Sequence, residues 1–169
     1  MDSTNSEEFA RRIQVLEDIE AIKKMKATFH GLCDQGYKDL ETIMDFFVED
    51  GVWDGESFGT YEGRDAIRSF FAEAPKILPF VRHQITNPII EVNGDTATGQ
   101  WYLLQPCTMA VNGEVGEKQA VWGSAKYNDT YVRANGQWKF QRLRVTLGFW
   151  SPFHQGWAQS WMIQDSAQN

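Results

Sequence analysis

The sequence predicts an α+β fold, a cone-shaped barrel in which N-terminal helices pack on a strongly curved antiparallel sheet. Three observations carry that expectation. Apolar side chains recur in steps of three and four from Phe9 to Leu32. Three Asn-Gly pairs, Asn93-Gly94, Asn112-Gly113 and Asn135-Gly136, divide residues 81 to 150 into four segments rich in β-branched and aromatic residues. The two patterns do not alternate: helices come first and strands follow. Helices laid on the concave face of a bent sheet enclose an apolar pocket with a few placed polar groups.

The first helix is read from Phe9, Ile13, Leu16, Ile19, Ile22, Met25, Phe29 and Leu32, one face of a long amphipathic element that glycine ends between Gly31 and Gly36. A second, short helix fits Lys38 to Phe47, and a short strand, Val52-Trp53-Asp54, falls between Gly51 and a turn ending at Gly63. A third helix runs from about Arg64 to Ala74 and is stopped by Pro75. Each Asn-Gly turn permits positive φ, so the four segments pair as an antiparallel meander, and strands that long must twist and curl. Ser151-Pro152 offers an N-cap and a first-turn proline for a C-terminal helix with Phe153, Trp157 and Trp161 on one face. Residues 1–169 read as one domain, with 151–169 an aromatic tail.

A net charge of −7 repels phosphate backbones and argues against nucleic acid as a partner. No run of about 20 apolar residues is present, so no membrane span is expected. The start, Met1-Asp-Ser-Thr-Asn-Ser-Glu-Glu, is acidic and polar, unlike a signal peptide, and Cys33 and Cys107 form neither a metal-ligand spacing nor a disulfide framework. A reduced, cytoplasmic setting is the expectation. Seven tryptophans supply large apolar areas suited to a pocket or a subunit interface.

No phosphate-binding loop, dinucleotide fingerprint, His-Glu-x-x-His metal motif or Gly-x-Ser-x-Gly elbow occurs, so no cofactor and no metal are expected. Acid–base work by side chains remains. His83, at the start of the first hairpin strand, is a titratable group on a rigid element. Periodicity does not favour Asp34 as its partner. Five residues beyond Phe29, at about 100° each, it lies about 140° from the apolar stripe and reads as a solvated residue in a helix-ending turn.

Ala21 to Phe29 through Cys33-Asp34, Gly51-Val-Trp53, Phe58-Gly-Thr-Tyr61-Glu-Gly63-Arg64, His83-Gln-Ile-Thr86-Asn87-Pro88, and Tyr127 through Gly136-Gln-Trp138-Lys-Phe together resemble the SnoaL-like branch of the nuclear-transport-factor-2-like superfamily. The character is that of the scytalone dehydratase, bile-acid 7α-dehydratase and hexachlorocyclohexane dehydrochlorinase group, over about residues 10 to 148. The resemblance implies a cofactor-independent lyase in which a histidine, His83, takes a proton while an aspartate, Asp34, orients it. It also implies a homotrimer. Phe29 stands where the dehydratases carry a tyrosine, and Gln105 where one of them carries an acid. Trp53 and Tyr127 match pocket aromatics, and Tyr127 is a candidate for the missing acid. By alternation Trp101 and Leu103 share the inward side of their strand with Gln105, and core packing is as good a reading of Trp53 and Trp101 as substrate contact. Alternation does not decide where Arg82, Arg142 and Arg144 point. The reaction expected is elimination, dehydration first, on a small apolar cyclic or aromatic substrate. Carbon–carbon cleavage releasing formaldehyde from a lignin-derived diaryl compound, and a non-catalytic ligand-binding module, are the alternatives.

Overall fold

The computed structural model describes residues 3–110 and 117–162. The helix α1 (Ser3–Cys33) is followed by α2 (Leu40–Met44), strand β1 (Phe47–Asp54), a 3-10 turn (Glu56–Phe58), β2 (Thr60–Glu62) and α3 (Arg64–Ile77). Then come β3 (Phe80–Val81), β4 (Gln84–Asn93), β5 (Thr96–Ala110), β6 (Lys118–Ala134), β7 (Gln137–Pro152) and the short α4 (Gly156–Gln159). One curled sheet takes the order β2-β1-β7-β6-β5, and both β3 and β4 pair with the far side of β5. The meander β4 to β7 is antiparallel, but β1 runs parallel to β7. The sheet is therefore mixed.

The turns follow their residues, with one shift of register. Asn135 and Gly136 are both left-handed, φ 52° and 76°, between the paired Ala134 and Gln137, as a two-residue primed turn requires. At the other described turn Asn93 pairs with Thr96, so the loop is Gly94-Asp95, with Gly94 at φ 59°. The Asn112-Gly113 pair lies outside the described residues.

Three element expectations need correction. The apolar stripe of α1 is buried only in its later turns: Phe9, Ile13 and Leu16 are exposed, whereas Ile22 and Phe29 are buried together with Asp18, Lys26, His30 and Cys33. Pro75 does not stop α3. It removes one N–H in the last turn, and Leu78 N–H still reaches Ala74 O at 2.8 Å. Ser151 and Pro152 do not start a helix. They end β7, opposite Trp122 and Val121, because the ladder to β6 continues that far. Phe153 rests on Trp122, while Trp157 and Trp161 rest on Phe149.

The closed end of the cone is packed with aromatic rings, Phe140 standing 5.1–5.4 Å from Phe29, Phe47 and Tyr131. Within it α1 carries a charge. Lys26 is fully buried, donates to Asp129 Oδ2 at 2.6 Å and lies 3.8 Å from the centre of the Tyr127 ring. Asp129 Oδ2 also accepts from the Tyr131 hydroxyl, which accepts from Trp101 Nε1. Burial pulls the Lys26 ammonium below its ordinary pKa, Asp129 opposing, and pushes the Asp129 carboxyl above its own, Lys26 opposing. A buried pair is costly to break from one side, since the survivor is left charged in a low-dielectric core. Lys26→Met is expected to lower stability by about 3–5 kcal/mol. Adding Asp129→Asn, whose amide oxygen still accepts from Tyr131, is expected to recover much of that loss in urea titration.

Candidate active site

β3 and β4 are one edge strand interrupted at Arg82-His83. Val81 pairs with Cys107, Gln84 with Leu104, and between them Arg82 N–H reaches Pro106 O. With Arg82 turned to β5, the next main-chain N–H along the edge strand, that of His83, points away from the ladder, and it donates to both oxygens of Asp34, at 3.1 and 3.2 Å. The His83 ring follows, with Nδ1 2.6 Å from Asp34 Oδ1. Asp34 is carried by the turn that closes α1, its own N–H bonded to His30 O, and its carbonyl accepts from Arg82 Nη1 at 2.9 Å. Three contacts from one residue thus fix the carboxylate, and the carboxylate fixes the imidazole. With Nδ1 engaged by an acceptor, the proton belongs on Nδ1 and Nε2 is the basic nitrogen. Both side chains are mostly covered, at 9% and 18% exposure.

His83 forms part of the wall of a cavity of about 100 Å³ inside the cone. Phe29, Trp53, Leu103, Gln105 and Tyr127 also line it, with Phe71, Trp150 and other apolar side chains. Trp101 does not. It is buried deeper, toward the closed end, where its indole donates to Tyr131. Asp34 stands behind His83 rather than in the wall, and among the described residues no aspartate, glutamate, lysine or arginine lines the cavity. An acidic base projecting from the sheet, which ketosteroid-type isomerisation would use, is therefore lacking there. Arg142 and Arg144 turn outward to Asp54, 2.8 and 3.8 Å away. Trp150 closes the wall over Gly123, where a Cβ would come within 2.4 Å of the indole.

Two polar lining residues escape the sequence reading. Tyr37 follows the α1 turn at φ 56° and presents a second, partly buried phenol. His30 is the more consequential. It is 4% exposed, its ring centre is 4.7 Å from that of His83 and 5.3 Å from that of Tyr127, and among the described residues neither ring nitrogen has a hydrogen-bond partner. A buried polar group left unpaired costs about 1–3 kcal/mol. Burial, then the neighbouring His83 and Lys26, hold the His30 pKa well below 6.5, so its ring is neutral. The signal for it was spacing rather than apolarity: Lys26, His30 and Asp34 recur every fourth residue and share one face of α1. Burial, then the Asp129 charge, pushes the Tyr127 phenol well above 10, so it stays protonated and can donate.

The model of the SnoaL-like domain matches residues 14–144. The chain belongs to that family. Among solved structures, a hexachlorocyclohexane dehydrochlorinase of a third type from Novosphingobium barchaimii LL02 is 23% identical, with 82% of this chain and 91% of that one covered, at a TM-score of 0.70. A scytalone dehydratase candidate from Novosphingobium aromaticivorans DSM 12444 is 23% identical over 82% and 89%, at 0.69. A cystatin-like-fold protein of unknown function from Nostoc punctiforme PCC 73102 is 27% identical over 77% and 90%, at 0.62. At these identities the SnoaL-like neighbours establish the fold and leave the chemistry to be argued from this chain's residues.

Because His30 is neutral when folded and ordinary when unfolded, unfolding takes up a proton below about pH 6.5. Stability should therefore fall as pH drops through and below that value, and the fall should be shallower in His30→Phe. Urea titrations at about pH 7.5 and about pH 5 check this; equal slopes in both proteins would mean that His30 is charged in the fold.

Proposed function

We propose that this protein is a cofactor-independent lyase acting on a small apolar cyclic or aromatic substrate. The observation that supports it most is the contact of Asp34 with Nδ1 of an imidazole that lines an otherwise uncharged cavity. That contact leaves Nε2 as the acceptor facing the substrate and places a carboxylate where it steadies the imidazolium formed on proton transfer, which is what a general base requires. In the proposed reaction His83 Nε2 removes a proton from the substrate, and Asp34 stabilises the imidazolium that forms. The leaving group then departs, aided by a hydrogen bond from the Tyr127 hydroxyl or from a water held by Gln105. The apolar wall of Phe29, Trp53 and Leu103 selects a flat or cyclic hydrocarbon body and strengthens each polar contact within it.

Elimination of water is the first reading. Loss of a carbonyl fragment such as formaldehyde is the second. It is favoured by a cavity in which Phe29 and Gln105 supply no titratable acid, because an expelled carbonyl needs less help from one. His83→Ala and Asp34→Asn should each lower turnover by ~10²–10⁴-fold with the fold intact. Mass spectrometry of products from a panel of aryl and cyclic alcohols separates loss of water from loss of formaldehyde. Wild-type turnover in either variant would remove the lyase reading and leave a ligand-binding module.

The assembly in this proposal is a homotrimer. Tyr102 and Leu104 on the outer face of β5, together with Phe153, Trp157 and Trp161, are exposed apolar side chains that a neighbouring copy would cover. Sedimentation at micromolar concentration should give three times the chain mass; a monomer would contradict it.

A further inference from the structure

We propose that His30 is a second substrate-binding imidazole, and that the substrate carries a hydroxyl held between His30 and His83. The inference rests on the lyase reading for its chemistry but not for its binding test. The two ring centres stand 4.7 Å apart, tilted by 35°, and both rings line the same cavity, a separation that one bridging oxygen can span. They are not equivalent. His83 has a carboxylate at Nδ1, whereas His30 has no partner at either nitrogen and has the Lys26 cation on its own helix. The environments divide the work: His83 is the ring that accepts a proton, and His30 is a neutral ring offering one N–H donor and one acceptor.

A hydroxyl is complementary to that pair, accepting from the His30 N–H while donating to His83 Nε2. A carbon–halogen group accepts weakly and donates nothing, so a halogenated hydrocarbon would leave His30 as unpaired as it is in the empty cavity. Alcohols and phenols, rather than polyhalides, are the class this site fits. Aromatic rings cover both His30 nitrogens in the empty cavity, so the contact is made as the ligand parts His30 from its neighbours.

Isothermal titration with phenol and toluene, near-isosteric probes differing by hydroxyl for methyl, tests this. Wild-type protein should prefer phenol. His30→Phe should reduce that preference about five- to tenfold, the range expected of one hydrogen bond, and His30→Gln, which keeps a donor and an acceptor, should retain most of it. His30→Leu gives the same comparison in case the larger ring is not accommodated. A phenol preference unchanged in His30→Phe and His30→Leu, no preference in wild type, or His30→Gln as impaired as His30→Phe would overturn the inference. Turnover separates the two proposals. Activity that depends on His83 alongside a preference indifferent to His30 removes only this inference. A preference that depends on His30 in a protein whose His83→Ala variant loses no turnover removes only the lyase reading.

Discussion

The contact between Asp34 and His83 joins two halves of the molecule that are 49 residues apart in sequence. It anchors the C-terminal end of α1 to the break in the β3–β4 edge strand, and it sets the direction of the imidazole in the cavity wall. Neither role separates from the other. The ring is oriented because the helix is docked, and the helix end is docked partly through the outward-facing main-chain N–H of His83 on the sheet edge. Because that N–H lies on the unpaired side of the edge strand, the carboxylate takes it without breaking the ladder to β5.

Docking α1 with a polar face inward has a consequence for stability. Lys26, His30 and Asp34 stand on successive turns, and each meets a different environment: a buried counter-ion, no partner, and a histidine. The pair at the closed end is joined through Asp129 Oδ2, and Lys26 holds Tyr127 from beneath. The unsatisfied imidazole in the middle is a local cost that a purely structural site would shed for leucine or phenylalanine. Polar groups in this condition within an apolar cavity are found where a ligand completes them.

Much of the architecture was legible in the chain. Asn135-Gly136 forms the turn its residues prescribe, and the alternation on β5 turns Trp101, Leu103 and Gln105 inward. The parallel pairing of β1 with β7 was not legible, since it depends on where a connection delivers a short strand and not on the strand's own residues. The C-terminal helix signal at Ser151-Pro152 was overridden by a ladder that ran on to Pro152. In the site, periodicity misplaced Asp34 because it scored apolarity: the turns carrying Phe9, Ile13 and Leu16 are exposed, and from Ile22 onward the buried face takes in the polar Lys26 and His30 beside Ile22 and Phe29. The family resemblance located His83 and Asp34 but passed over His30, which only the spacing Lys26, His30, Asp34 could have flagged. Trp101, inward as alternation required, lies one layer too deep to touch the cavity.

The central claim is that the two neighbouring imidazoles are held in different states, one by the Asp34 carboxylate and the other by burial. Nitrogen-15 spectra of histidine-labelled protein at neutral pH test it directly. The account predicts one ring, lost in His83→Ala, carrying its hydrogen on Nδ1 with an unprotonated Nε2, and losing that fixed tautomer in Asp34→Asn. It predicts a second ring, lost in His30→Phe, that stays neutral as the pH is lowered below about 6.5. Two rings that titrate together, or a His83 tautomer indifferent to Asp34→Asn, would contradict it.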